Sequence, residues 1–239
     1  MTFLKRLIVW LLCFCLLCIP VRAAEHQKLV ALTFDDGPSG KYTRRLLAGL
    51  EERKVKATFF LCGYRMEQYP ELTEQIFEQG HEIGLHGYSH KSMKNMCRAE
   101  VAEELEKTMA LIPEHCVVSF LRTPGGISRE SVQTVAADMG LAVLSWSVDP
   151  KDWATHDAQK VEQEVITHVQ DGDVILLHDM SDSSVDAALV IIDELQKQGF
   201  QFVTVSELTR QRQIPVIPGK EYSRFEPSDS EGDPLPEGA

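Results

Sequence analysis

The chain has 239 residues, 44% hydrophobic and 25% charged, with 24 Lys and Arg against 36 Asp and Glu and a formal charge of −12. That length is enough for one large domain with a well-buried core. An acidic balance with no basic stripe excludes nucleic acid and anionic membrane as natural partners and leaves neutral or partly cationic substrates open.

Residues 1–24 stand apart. Lys5 and Arg6 precede an apolar segment over residues 7–19, Pro20 breaks it, and Val21-Arg22-Ala23-Ala24 offers a small-residue cleavage site. This is the pattern of a secretory signal peptide. The segment is shorter than the roughly 20 residues of a membrane span, with an uncleaved anchor as the competing reading. Either way the domain is expected to be exported, secreted or held at the cell envelope. The leader carries three bases and no acid, so the remainder holds 21 bases against 36 acids, a charge of −15.

After the leader, residues 29–32 form an apolar run that reads as a buried strand, stopped by Gly37-Pro38. Residues 41–53 are amphipathic, with Leu46, Leu47 and Leu50 at helical spacing. A short strand is expected over 57–61, a helix over 71–79 ending at Gly80, and a strand over 82–85 leading into His86. A charged helix follows over 99–112, then a strand over 117–121. A helix starts at Ser128 and ends at Gly140, and a strand covers 141–146. Residues 157–169 read as helix, 173–177 as strand, 184–198 as helix, 200–203 as the last strand and 205–212 as a short helix. About seven strands alternating with helices imply a parallel sheet with helical crossovers, either closed as a barrel or open and doubly wound. From residue 214 on, prolines, acids and serines dominate, and a disordered tail over 214–239 is expected.

Three of the six cysteines (Cys13, Cys15, Cys18) lie in the leader. The odd remainder, Cys62, Cys97 and Cys116, excludes a fully paired framework within one chain. Cys97 and Cys116 flank a helix and are too far apart to bridge. Cys62 and Cys97, expected after strands on one side, are the better pair. Three buried free thiols are the alternative.

In a parallel barrel the loops after the strands build the site, and the polar clusters of this chain fall there. Asp35 and Asp36 end the first strand. Adjacent carboxylates repel, so burying both favours a cation between them; an acidic turn is the bland reading. His86-Gly87-Tyr88-Ser89-His90 follows a strand, and its His-x3-His spacing suits a metal if the segment is helical, since i and i+4 share a face. Two surface histidines would look the same. Arg122-Thr123-Pro124-Gly125-Gly126, Asp149-Pro150-Lys151-Asp152-Trp153 and Ile175-Leu176-Leu177-His178-Asp179 complete the set. Singly they could be a structural ion pair, a plain loop and a core histidine. Their joint placement at one end of one sheet makes chance a poor explanation.

The order of these clusters resembles the polysaccharide deacetylase family, carbohydrate esterase family 4, also called the NodB homology domain, over residues 28–210. The resemblance implies an α/β fold, an irregular seven-stranded (β/α) barrel in a single domain. It implies removal of acetyl groups from glycans such as peptidoglycan, chitin or xylan, with one divalent metal, usually zinc. By motif, Asp36, His86 and His90 would hold the metal, and Asp35 would be the general base, paired with Arg122. The backbone N–H of Gly125 would face the oxyanion. His178 would protonate the leaving amine, oriented by Asp152. Trp153 and Leu176 would line the acetyl pocket. Two positions depart from the family: Gly87 stands where Ser or Thr is frequent, and Gly125 where Tyr is frequent. The first removes a hydroxyl but no ligand; the second removes an aromatic wall but keeps the backbone donor. The expected partner is an N-acetylated glycan, most of all peptidoglycan, met by a monomer. A non-catalytic glycan-binding relic and a small-amide amidase are the other classes. A relic should have lost a ligand, the base or the acid, and export disfavours the amidase.

Overall fold

The computed structural model describes residues 27–226. The expected leader over 1–24 and the end of the expected tail, 227–239, lie outside the described residues. Seven strands alternate with helices: β1 (Lys28–Asp35), α1 (Gly40–Arg53), β2 (Thr58–Leu61), α2 (Gly63–Gln68), α3 (Pro70–Glu78), β3 (Glu82–Leu85), α4 (Arg98–Met109), β4 (Phe120–Leu121), α5 (Glu130–Asp138), β5 (Ala142–Leu144), α6 (Asp152–Thr155), α7 (Ala158–His168), β6 (Val174–His178), α8 (Asp182–Lys197), β7 (Phe200–Phe202) and α9 (Val205–Gln211). A two-residue strand, β8 (Glu221–Tyr222), follows.

All strand pairs are parallel, in the order β6-β1-β2-β3-β4-β5-β8, with β7 beside the first residues of β1. A lone parallel bridge between Val148 and Ile175 brings the chain beyond β5 back to β6. The sheet therefore curls into an irregular barrel in one domain. Parallel pairing collects the C-terminal ends of all strands at one mouth.

Alternation along each strand decides what faces inward. Val30, Leu32 and Phe34 of β1 join Ile175 and Leu177 of β6 in the core beneath the outer helices. Leu29 and Ala31 join Phe60, Phe120, Leu144 and Val174 in a second core inside the barrel. Continuing these phases past the strand ends puts Asp35, Arg122 and His178 on the inner face. Phe60 fills the interior because Gly84 faces it: a Cβ there would lie 2.5 Å from the Phe60 ring. Outside, α1 packs closely on α8 at Gly49, where a Cβ would meet Leu189 at 2.4 Å.

Three expectations are corrected. Residues 214–226 are packed, not disordered. Ile214, Val216 and Tyr222 lie against the inner core, Phe225 is buried, and β8 extends the sheet beside β5. A composition dominated by proline and acid masks four apolar residues that dock singly. The strand expected over 117–121 is only Phe120–Leu121, and Val117 is exposed. The three cysteines are free, and Cys62 alone among them is buried. Cys97 does not follow a strand; it is exposed and precedes α4 as its cap, so it does not meet Cys62.

Candidate active site

The first group of site residues hangs from Arg122. Its side chain is fully buried beyond β4. Nη1 donates to Asp35 Oδ1 at 2.7 Å and to Thr33 Oγ1 at 2.8 Å. Nη2 and Nε donate to the carbonyls of Ser145 at 2.8 Å and Leu144 at 3.2 Å. Thr33 can accept because its own hydroxyl donates to Ile175 O. The guanidinium also lies 4.2 Å over the Phe60 ring. Burial pulls Arg122 down from its ordinary value, and Asp35 opposes that pull. A charge in this position needs its carboxylate, and the carboxylate needs it.

The same residue orients a histidine. His86 Nδ1 lies 2.8 Å from the Arg122 carbonyl. A carbonyl only accepts, so Nδ1 carries the proton and Nε2 presents its lone pair to the cavity. Asp36 takes a left-handed φ of +73, and the Asp35 carboxylate lies 3.8 Å from His86 Nε2. Asp36 Oδ1 is 3.2 Å from His86 Nε2 and 2.8 Å from His90 Nε2. One atom from each of the three residues lies within 4.8 Å of the others. Burial raises the Asp36 carboxyl, but the facing His86 and His90 rings outweigh it and hold it well below the usual range. His90 is raised in turn, first by the facing Asp36 carboxylate.

These residues fit a divalent cation. Asp36 Oδ1 is buried and accepts no hydrogen bond of regular geometry, although two ring nitrogens face it. One carboxylate oxygen and two imidazole nitrogens form a donor set suited to zinc-like ions, with coordination positions left for water and substrate. The segment is not helical, the condition under which His-x3-His spacing alone would put both rings on one face. Residues 86–90 form a loop in which Gly87 and His90 take left-handed φ values of +75 and +58. Convergence comes from that loop rather than from a shared helical face.

A second group of residues is built round His178 at the end of β6, where Asp35 is its register partner on β1. Its Nδ1 lies 2.8 Å from Asp152 Oδ1, and its backbone N–H donates to Asp152 Oδ2 at 2.8 Å. Asp152 is buried in the first turn of α6. Burial lowers the imidazole, but the hydrogen bond and charge of Asp152, aided by Asp35 and Asp36, carry it up to about 9. It is therefore a cation at neutral pH, able to donate a proton from Nε2.

The two groups share a cavity of about 440 Å³ lined by Asp35, Asp36, His86, His90, Gly125, Leu176, His178 and Trp153. Arg122 and Asp152 sit behind it as supports. Gly125 has φ +74, and nothing lies within 4 Å of where its Cβ would be, so that rim is open. Trp153 is 59% exposed and stands at the rim. Asp149, which lies in one of the polar clusters but has no role assigned from the sequence, also lines the cavity, as does Trp146, at the end of the strand expected over 141–146. Trp146 has the same inward phase as Arg122, two residues past β5, which is the signal that could have found it. Gly126 makes room for it: a Cβ there would lie 2.4 Å from its ring.

A proton acceptor and a proton donor at the ends of adjacent strands, lining one cavity with a cation cradle at the C-terminal mouth of a parallel barrel, define a site of hydrolytic type. The chain belongs to the polysaccharide deacetylase family, whose model matches residues 22–144. It is 35% identical over 192 residues to a peptidoglycan-N-acetylglucosamine deacetylase of Bacillus cereus, covering 78% of this chain and 90% of that one. It is 37% identical over 186 residues to the peptidoglycan-N-acetylmuramic acid deacetylase PdaC of Bacillus subtilis. That match covers 77% of this chain but 39% of PdaC, so the chain spans less than half of that relative. Among solved structures, a family 4 acetyl xylan esterase from Clostridium thermocellum, in complex with a cobalt ion, aligns with a TM-score of 0.77 at 32% identity over 82% of this chain and 98% of that one.

Proposed function

We propose that the protein is an exported, metal-dependent glycan N-deacetylase that hydrolyses the acetamido group of N-acetylated amino sugars, in the first place those of peptidoglycan. The observation that carries this is that Asp35 and His178, register partners at the ends of β1 and β6, line one cavity with Asp36, His86 and His90. A divalent ion held by those three residues, zinc by the chemistry of the donors, would supply Lewis-acid polarisation of water and of the acetyl carbonyl. Asp35, ion-paired to Arg122, takes the proton from the attacking water. As the carbonyl becomes tetrahedral, its oxygen faces the Gly125 N–H on the open rim. His178 gives its Nε2 proton to the amide nitrogen, the C–N bond breaks, and acetate and a free amino sugar leave. Leu176 and Trp153 flank the acetyl methyl. The single chain carries every one of these groups, consistent with action as a monomer.

Peptidoglycan is favoured by likeness to deacetylases of that polymer and by the composition of residues 1–24, which fits export to the cell wall. The second reading, O-deacetylation of xylan, is favoured by the likeness to the acetyl xylan esterase. Release of acetate from purified peptidoglycan, chitin oligomers and acetylated xylan, each with a chelator control, separates the two. Activity on xylan alone would reject the amide substrate. Chelator-resistant activity would reject the metal.

A further inference from the structure

The loop over residues 86–90 carries two candidate ligands on irregular backbone, with left-handed residues at Gly87 and His90. Such a stretch has no hydrogen-bond ladder of its own, so its backbone groups must be satisfied from outside. The carbonyls of Gly87 and Tyr88 accept from the N–H groups of Gly63 and Tyr64 at the start of α2, each at 3.0 Å. The N–H groups point the other way, toward Glu104 in the middle of α4. Its Oε2 accepts from Tyr88 N–H and Ser89 N–H, each at 2.8 Å, and its Oε1 accepts from Ser89 Oγ at 2.7 Å. The loop rests directly on that carboxylate: a Cβ at Gly87 would lie 3.4 Å from Oε2.

We propose that Glu104 is a positioning residue of the metal centre, its carboxylate fixing the loop conformation that brings His90 Nε2 beside His86 Nε2. This rests on the reading of Asp36, His86 and His90 as metal ligands. Glu104 lines no part of the catalytic cavity and touches no ligand side chain. It acts through the backbone of Tyr88 and Ser89, two of the three residues between the histidines. His86 keeps a separate tie to the Arg122 carbonyl. Loss of Glu104 therefore falls on His90, whose side chain is 42% exposed.

The test uses the full chain and two readouts besides activity. Zinc affinity is measured by competition with a chromophoric chelator for wild type, Glu104→Ala, Glu104→Asp, Glu104→Gln and the surface control Glu103→Ala. Amide exchange at Tyr88 and Ser89 is followed in the metal-free proteins. Glu104→Ala is expected to weaken zinc binding by about 10–100-fold, as loss of an outer-shell partner does. Glu104→Asp keeps the charge, and so the fold, but its arm is one carbon short; it should weaken binding too. Glu104→Gln keeps one oxygen for both N–H groups and should stay near wild type, as should Glu103→Ala. Exchange at both amides should quicken in the Ala and Asp variants. If wild type binds zinc and these two variants match it in affinity or in exchange, the anchor is refuted. If wild type takes up no zinc, the metal reading itself is refuted and the proposal goes with it.

Discussion

Asp152→Asn isolates the link between a buried carboxylate and the proton donor. The wild-type carboxylate takes the His178 ring N–H on one oxygen and the His178 backbone N–H on the other, both at 2.8 Å. An amide has one accepting oxygen, so its NH2 must face one of two N–H donors. The charge that holds the imidazolium is lost as well. Raising a histidine from 6.5 to about 9 corresponds to about 3 kcal/mol in favour of the charged form. Without Asp152, burial is opposed only by the charges of Asp35 and Asp36, and the value should fall back to about 6.5. At pH 8 the protonated fraction would then drop by about 30-fold, and the rate of acetate release should drop by at least that much. The basic limb of the kcat/KM profile should move from near pH 9 to below 7. Stability follows the same linkage. The folded value lies above the unfolded one, so the contribution is complete below pH 6.5 and is lost as pH rises through about 9. The variant should therefore be less stable than wild type at pH 6, with the gap narrowing by pH 9.5. The assays are pH–rate profiles on an N-acetylated glycan oligomer and urea melts of the metal-free protein at both pH values. A basic limb that stays in place in the variant would refute the reasoning.

Other outcomes follow from Asp35 and the groups around it. Asp35→Asn should still bind zinc but lose about 10²–10⁴ in turnover; metal titration and acetate release on the same preparation check it, and retained turnover would remove Asp35 as the base. His86→Ala should lose both metal and activity, which metal analysis after desalting will show. Arg122→Met should leave the Asp35 carboxylate buried without its cation and cost about 3–5 kcal/mol, read as a lowered urea midpoint in the metal-free protein; a change under about 1 kcal/mol would mean that solvent reaches Asp35.

Hydrophobic periodicity made the alternation of strands and helices readable, because runs such as 29–32 and 173–177 are buried on both faces. That same continuity hides which residues face inward: Val30 and Ala31 are equally apolar yet lie in different cores. The inward phase of Asp35, Arg122 and His178 emerges only when parallel pairing fixes the register. The spacing of His86 and His90 was legible, but its conformation was not, since the loop is held by Glu104 and by α2 rather than by local propensity. The short helix α2 escaped notice because six residues carry too little periodicity. The packed stretch after residue 214 escaped because composition averages over the few side chains that dock.

Arg122 grips the proton acceptor with its side chain and the His86 ring with its main chain. Displacement of this rivet would carry Asp35 and the cation seat together and leave their mutual spacing unchanged. His178 stands on β6 in register beside Asp35, while Asp152 and Trp153 hang from α6, after the bridge that joins Val148 to Ile175. Retuning for bulkier or slimmer sugars is therefore a matter of reshaping the α6 rim, while the grip of Arg122 stays fixed.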